Sequence, residues 1–88
     1  MENQFEFVLN DKMKKLIKLA KLNNSSAVVY PKVVDNLVRQ KYSQRDVEAI
    51  INNYLDDNTK ASYIEDFTNL QNYRKACKNY AKELLEIE

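Results

Sequence analysis

Glycine is absent from this 88-residue chain, and proline occurs once, at Pro31. No other feature restricts the fold as strongly. Two-residue hairpin turns need backbone with φ > 0, which glycine supplies without steric cost. Asparagine can stand in for it, and the chain is rich in asparagine, but the balance moves towards helices. The same absence removes the phosphate-cradling loops of nucleotide-binding proteins, in which the backbone must approach the phosphates closely.

Hydrophobic spacing then divides the chain into four helical stretches. Asn10 and Asp11 are good N-cap types, and Met13, Leu16, Ile17 and Ala20 share a face, so a first helix is expected over roughly residues 11–22. Asn23 to Ser26 reads as a connector. Proline is welcome at a helix's first position and pushes the residue before it out of the α region, which predicts a second helix from Pro31 to about residue 41. Ser43 with Asp46 three residues later forms a short capping box, and Val47, Ile50, Ile51 and Tyr54 give the third helix, 44–55, its apolar face. A fourth helix is expected over about 60–85. The expected class is therefore all-α, a single small bundle of about four helices. Short extended segments are allowed for at 4–9, where Phe5, Phe7 and Leu9 alternate, and at 26–30, which is β-branched. Residues 5–20 also fit helical spacing, so strand and helix both stay open for the first of these.

Length supplies the most informative mismatch. The fourth helix would be roughly 39 Å long, whereas helices of about 11 residues reach roughly 17 Å. They cannot cover its whole apolar stripe. Tyr73, Cys77, Tyr80, Leu84 and Ile87 follow one another by 4, 3, 4 and 3, the spacing of a helix that packs lengthwise on another. This face is expected to meet a second copy or a foreign protein.

Chemistry-bearing residues are few. Histidine is absent and Cys77 is the one cysteine, so a usual zinc site has too few ligands and the commonest general base is missing. Asp56-Asp57-Asn58 lacks the spacing, glycine and closing glutamate of a calcium loop, and reads as a cap and turn. Cys77 lies in the apolar stripe without a partner base and reads as a small hydrophobe. The expectation is no enzyme, no cofactor and no metal. No apolar run reaches the length of a membrane span, the N-terminus lacks a signal-peptide pattern, and a lone cysteine suits a reducing, cytoplasmic setting.

Charge is segregated. Residues 1–45 hold nine Lys/Arg against four Asp/Glu, and residues 46–88 hold five against nine, so halves of +5 and −4 compose the net +1. Lys14, Lys15, Lys18 and Lys21 crowd the first helix and form the basis of an alternative, nucleic-acid binding by charge. The helix after Ser43 turns acidic at Asp46 and Glu48, unlike a base-reading helix, so a solvated basic face is the preferred reading. The charge segregation itself could steer a partner or let copies meet head to tail.

From about Val33 onward, Leu37, Val38, Arg39, Tyr42-Ser43, Asp46, Ala49-Ile50, Phe67, Tyr73, Cys77-Lys78 and Ala81-Lys82 give the chain a resemblance. It resembles short phage and prophage proteins of low-GC Gram-positive bacteria over just over half its length. The stretch Asn52–Ser62 is longer than the connection in that group, and residues 1–30 have no counterpart. The resemblance implies helices, a mobile-element origin and a bacterial host cytoplasm, and it transfers no activity or functional residue. The function expected is a small non-enzymatic protein–protein interaction factor, either an inhibitor of a host protein or a minor assembly factor.

Overall fold

The computed structural model describes residues 5–87. Among these residues the fold is all-α, with four helices: α1 Asp11–Leu22, α2 Ser26–Arg39, α3 Gln44–Asp56 and the long α4 Ala61–Leu85. No strand occurs among the described residues.

The helix ends follow local hydrogen-bonding chemistry. The Asn10 side chain accepts from the Met13 backbone N–H at 2.8 Å and fixes the start of α1. At its far end Asn24 adopts φ 53. Ser25 N–H reaches the Ala20 carbonyl at 2.7 Å and Asn24 N–H the Lys21 carbonyl at 3.4 Å, the double closure that normally uses glycine. Glu86 ends α4 in the same way, with φ 57 and a 2.9 Å bond from Ile87 N–H to the Lys82 carbonyl. At α3 the capping box is complete: Asp46 N–H donates to Ser43 Oγ at 3.0 Å, and Ser43 N–H donates to Asp46 Oδ2 at 3.1 Å.

One boundary corrects the sequence reading. Residues 26–30 are not extended; α2 begins at Ser26 and carries Pro31 inside it. Pro31 cannot donate to the Ala27 carbonyl, but Ala27 is exposed, so water can serve that group. In return the added turn places Val29 and Tyr30 against the core. Tertiary packing thus overrides the local preference of the residue before proline.

The core consists of Met13, Ile17 and Ala20 from α1, Val33, Leu37 and Val38 from α2, Val47 from α3, and Leu70, Tyr73, Cys77, Ala81 and Leu85 from α4. Every buried α4 residue lies at or beyond Leu70. The molecule is elongated, 47 × 26 × 21 Å. Its α1 and α2 sit against the C-terminal part of α4, and α3 pairs with the N-terminal part through the stacked rings of Tyr54 and Phe67, 4.0 Å between centroids.

Candidate interaction surface

The five residues expected to form a contact face on α4 occupy a different setting. Tyr73 is 3% exposed and Cys77 fully buried, while Tyr80, Leu84 and Ile87 are half-buried and pack against the core. For Tyr73, Tyr80 and Leu84 part of the cover comes from residues 5–10, which sequence periodicity left unplaced. Phe5 meets Tyr73 edge-on at 5.0 Å, and Phe7 stacks on Tyr80 at 4.8 Å. The Gln40 side-chain amide holds this strap in place. It accepts from Val8 N–H at 3.1 Å and donates to the Val8 carbonyl at 2.7 Å, imitating a neighbouring strand. Phe5, Phe7 and Leu9 point inward while Glu6 and Val8 are exposed, so the alternation was a genuine signal of one covered side. Residue 4, also within the segment expected to be extended, lies outside the described residues.

Tyr73 is the centre of this arrangement. Its hydroxyl donates to the Leu37 carbonyl at 2.9 Å, and Phe5, Phe7 and Tyr42 surround its ring. Lys41 lies 5.3 Å from the ring centroid and 5.2 Å from that of Phe5. Burial pushes the Tyr73 hydroxyl up to about 12 and the Cys77 thiol up to about 11. Both groups are therefore held neutral inside the molecule, and Cys77 is in the state least suited to nucleophilic attack.

The basic residues of α1 divide between two grooves. Lys14, Lys18 and Lys21 line a shallow groove with Leu9, Ile17 and Leu84, whereas Lys15 joins Lys12 and Lys32 around a second groove floored by Met13 and Leu16. All four candidate lysines are exposed. Lys21 reaches Glu86 at 3.9 Å, a solvent-exposed pair of little energetic weight.

A surface that the sequence reading passed over lies where α3 and α4 diverge from the core. Tyr54, Leu55, Tyr63, Ile64 and Phe67 are all outside the core and outside the set packed against it. Leu55 is 74% exposed and Ile64 40%. This hairpin end adjoins a groove of about 510 Å³ between α2, α3 and α4, with Val34, Val38 and Ile51 among its apolar lining and Glu48, Arg74 and Lys78 among its charges. Arg39 stands at the same groove, tied to Asp35 at 3.0 Å and to the Gln44 side chain. Helical spacing joins hairpin end and groove into one face. Leu55 lies seven residues from Glu48 on α3, within about 20° round the helix, and Ile64 lies fourteen from Lys78 on α4, within about 40°, so each apolar residue lies on the side of its helix that carries a groove residue. The signal available in the sequence was the same length mismatch, applied to the other end of α4.

Among the described residues no three metal-ligating side chains cluster, and no helix is long and apolar enough to cross a membrane. Comparison with protein-family models, curated proteins and solved structures finds no match for this chain.

Proposed function

We propose that this chain is a small non-enzymatic protein–protein interaction factor whose contact surface is the outer face of the α3–α4 hairpin. The observation that carries this reading is the set Tyr54, Leu55, Tyr63, Ile64 and Phe67, an apolar group on paired helices that the chain's own core does not cover. Helices presenting an apolar face normally bury it, and contiguous exposed apolar surface marks an interaction site. Aromatic residues at its centre add contact area at small entropic cost. In the Tyr73–Ile87 stripe, first expected in this role, Tyr73 and Cys77 belong to the core and Tyr80, Leu84 and Ile87 are half-buried against it, which favours the hairpin as the contact surface.

The resemblance of residues from about Val33 onward supports a phage or prophage origin and a bacterial cytoplasmic setting, with inhibition of a host protein or minor assembly as the task. Affinity capture from host cells with the wild-type chain and with Leu55→Asp tests the reading. A partner, whether a second copy or a foreign protein, retained by the first and lost by the second is expected. Equal capture by both would remove the hairpin from the contact.

A second reading draws on the exposed line Lys14, Lys18 and Lys21, with Lys15 beside it: nucleic-acid binding through phosphate contacts. Steeply salt-dependent DNA or RNA binding, lost when these four lysines are changed to alanine, would favour it over the first.

A further inference from the structure

The outer face of α3–α4 changes character along its length. At the hairpin end stand the exposed Leu55 and Ile64, flanked by Asp56 and Asp57 in the turn. Asp57 accepts from both the backbone N–H of Thr59, at 3.0 Å, and its hydroxyl, at 2.6 Å. The Thr59 side chain is the main cause that holds its carboxyl below the usual value, so the turn keeps its negative charge. Towards the core the groove opens over an apolar floor, Val34, Val38 and Ile51, with Arg74 and Lys78 on its α4 wall. The two ion pairs among the described residues, Lys21–Glu86 and Arg39–Asp35, involve none of Asp56, Asp57, Arg74 or Lys78. Ile64 and Lys78 are separated by about 21 Å along α4. The hairpin end thus sets Asp56 and Asp57 against Lys60, and the groove sets Arg74 and Lys78 against Glu48 beside the Arg39–Asp35 pair, so one end is apolar, protruding and net acidic and the other apolar, recessed and net basic.

A two-fold rotation perpendicular to α4 exchanges these two ends. We infer that the occupant of this face is a second copy of the chain, docked antiparallel, so that Leu55 and Ile64 of each protomer seat on the Val34, Val38 and Ile51 floor of the other. In that arrangement Asp56 and Asp57 of one protomer approach Arg74 and Lys78 of its partner, twice per dimer. The same patch serves both protomers, as an isologous interface requires, and two α3–α4 hairpins complete a four-helix layer. Tip-to-tip pairing is disfavoured because it sets Asp56 and Asp57 against their own copies. This inference rests on the reading of the hairpin as the contact surface and adds the identity of the partner.

Sedimentation equilibrium of the full chain, up to about 1 mM to reach weak association, is the first measurement. A reversible monomer–dimer equilibrium is expected. Ile64→Glu, at an exposed position that leaves the helices folded by circular dichroism, should weaken the dimer at least ~100-fold, since each apolar contact is lost twice. Asp56→Lys and Arg74→Glu should each weaken it by roughly tenfold or more, and the double variant should recover most of the loss. A double variant no stronger than the singles would overturn the antiparallel docking, and a chain monomeric throughout would overturn self-association. A photoreactive residue at position 64, activated in host cells, separates the two layers of the proposal. A product of twice the chain's mass containing only this chain supports the dimer. A cross-link to a foreign protein overturns the second copy but keeps the contact surface. No cross-link at all overturns both.

Discussion

The two halves of α4 are built from similar residues and end in opposite surroundings. From Leu70 to Leu85 the helix buries Leu70, Tyr73, Cys77, Ala81 and Leu85 under α1, α2 and the N-terminal strap. From Ala61 to Asn69 it offers Tyr63, Ile64 and Phe67, none of them fully buried, and α3 pairs with this part through Tyr54 on Phe67. A pair of helices can shelter the seam between them but not their flanks, and a third layer is needed before an apolar side chain is fully withdrawn from water. The C-terminal half has that layer and the N-terminal half does not. Apolar content alone therefore does not tell which face of a long helix is core; what else the chain can bring alongside decides it.

The comparison is broken or sharpened most severely by deletion of one apolar side chain in each half. Leu70→Ala removes a side chain that is 0% exposed and should cost about 2–5 kcal/mol, a large share of the stability of an 88-residue domain. Ile64→Ala, in the isolated protomer, should cost less than about 1 kcal/mol because its side chain already meets water. Urea unfolding at protein concentrations too low for association measures both. Equal losses would show that the N-terminal half is covered after all.

The next effect is on pH dependence, and it belongs to the C-terminal half alone. Tyr73 is raised from 10.0 to about 12 and Cys77 from 9.0 to about 11, each chiefly by burial. A raised value means that the folded state holds the proton more tightly than the unfolded chain. The stabilisation is full below the ordinary values and is lost as pH climbs through the raised ones. Stability should fall between about pH 9 and 12 as these two groups titrate. Cys77→Ala should remove the lower part of that fall, and Tyr73→Phe the upper part, as followed by far-UV circular dichroism. An alkaline limb unchanged in both variants would mean that neither group stays neutral in the fold.

A smaller effect isolates the strap. Phe7 is half-buried between Tyr73 and Tyr80, so Phe7→Ala should cost roughly 1–2 kcal/mol, less than a full core truncation. It also uncovers the Tyr80–Leu84 side of α4. Association newly acquired by Phe7→Ala and absent from the parent would show that the two halves of α4 differ only in having a cover.

Much of this was legible in the sequence because it is written locally. Asn10 and Ser43 use short-range hydrogen bonds, and the start of α1 and the α3 capping box follow from them directly. The apolar stripe of α4 is a property of spacing. The elements that were misread depend on partners distant in the chain. Pro31 sits inside α2 because Val29 and Tyr30 pack on the core, and nothing adjacent to Pro31 announces that. Likewise the fate of Tyr73 and Tyr80 turned on Phe5 and Phe7, more than 60 residues away, and on the Gln40 amide that clamps Val8. The length mismatch was real, but helix lengths alone do not say which end is left over. The exposed Leu55 and Ile64 look like any other apolar positions until α1 and α2 have been placed.

The smallest expected effect lies at the very end of the covered half. Glu86 holds φ 57, a conformation in which its Cβ crowds the following carbonyl at a cost of about 1–2 kcal/mol. It is kept there because the turn it makes delivers Ile87 N–H to the Lys82 carbonyl and the Ile87 side chain to the core. Its carboxylate also sits at the negative end of the helix dipole. Glu86→Gly relieves both, against about 0.4–1 kcal/mol for the added freedom of the unfolded chain. The exposed Lys21 contact at 3.9 Å that it gives up weighs little. A net gain of about 0.5–1 kcal/mol is expected, visible as a rise of a few degrees in Tm. Asn24→Gly, at φ 53, should gain less, because asparagine tolerates this conformation better. Both substitutions lie away from Leu55, Ile64, Arg74 and Lys78, so they should raise Tm without altering association through the hairpin face. If Glu86→Gly instead changed association, the C-terminus of α4 would belong to the contact surface, and the division of the helix into a covered half and an open half would have to be redrawn.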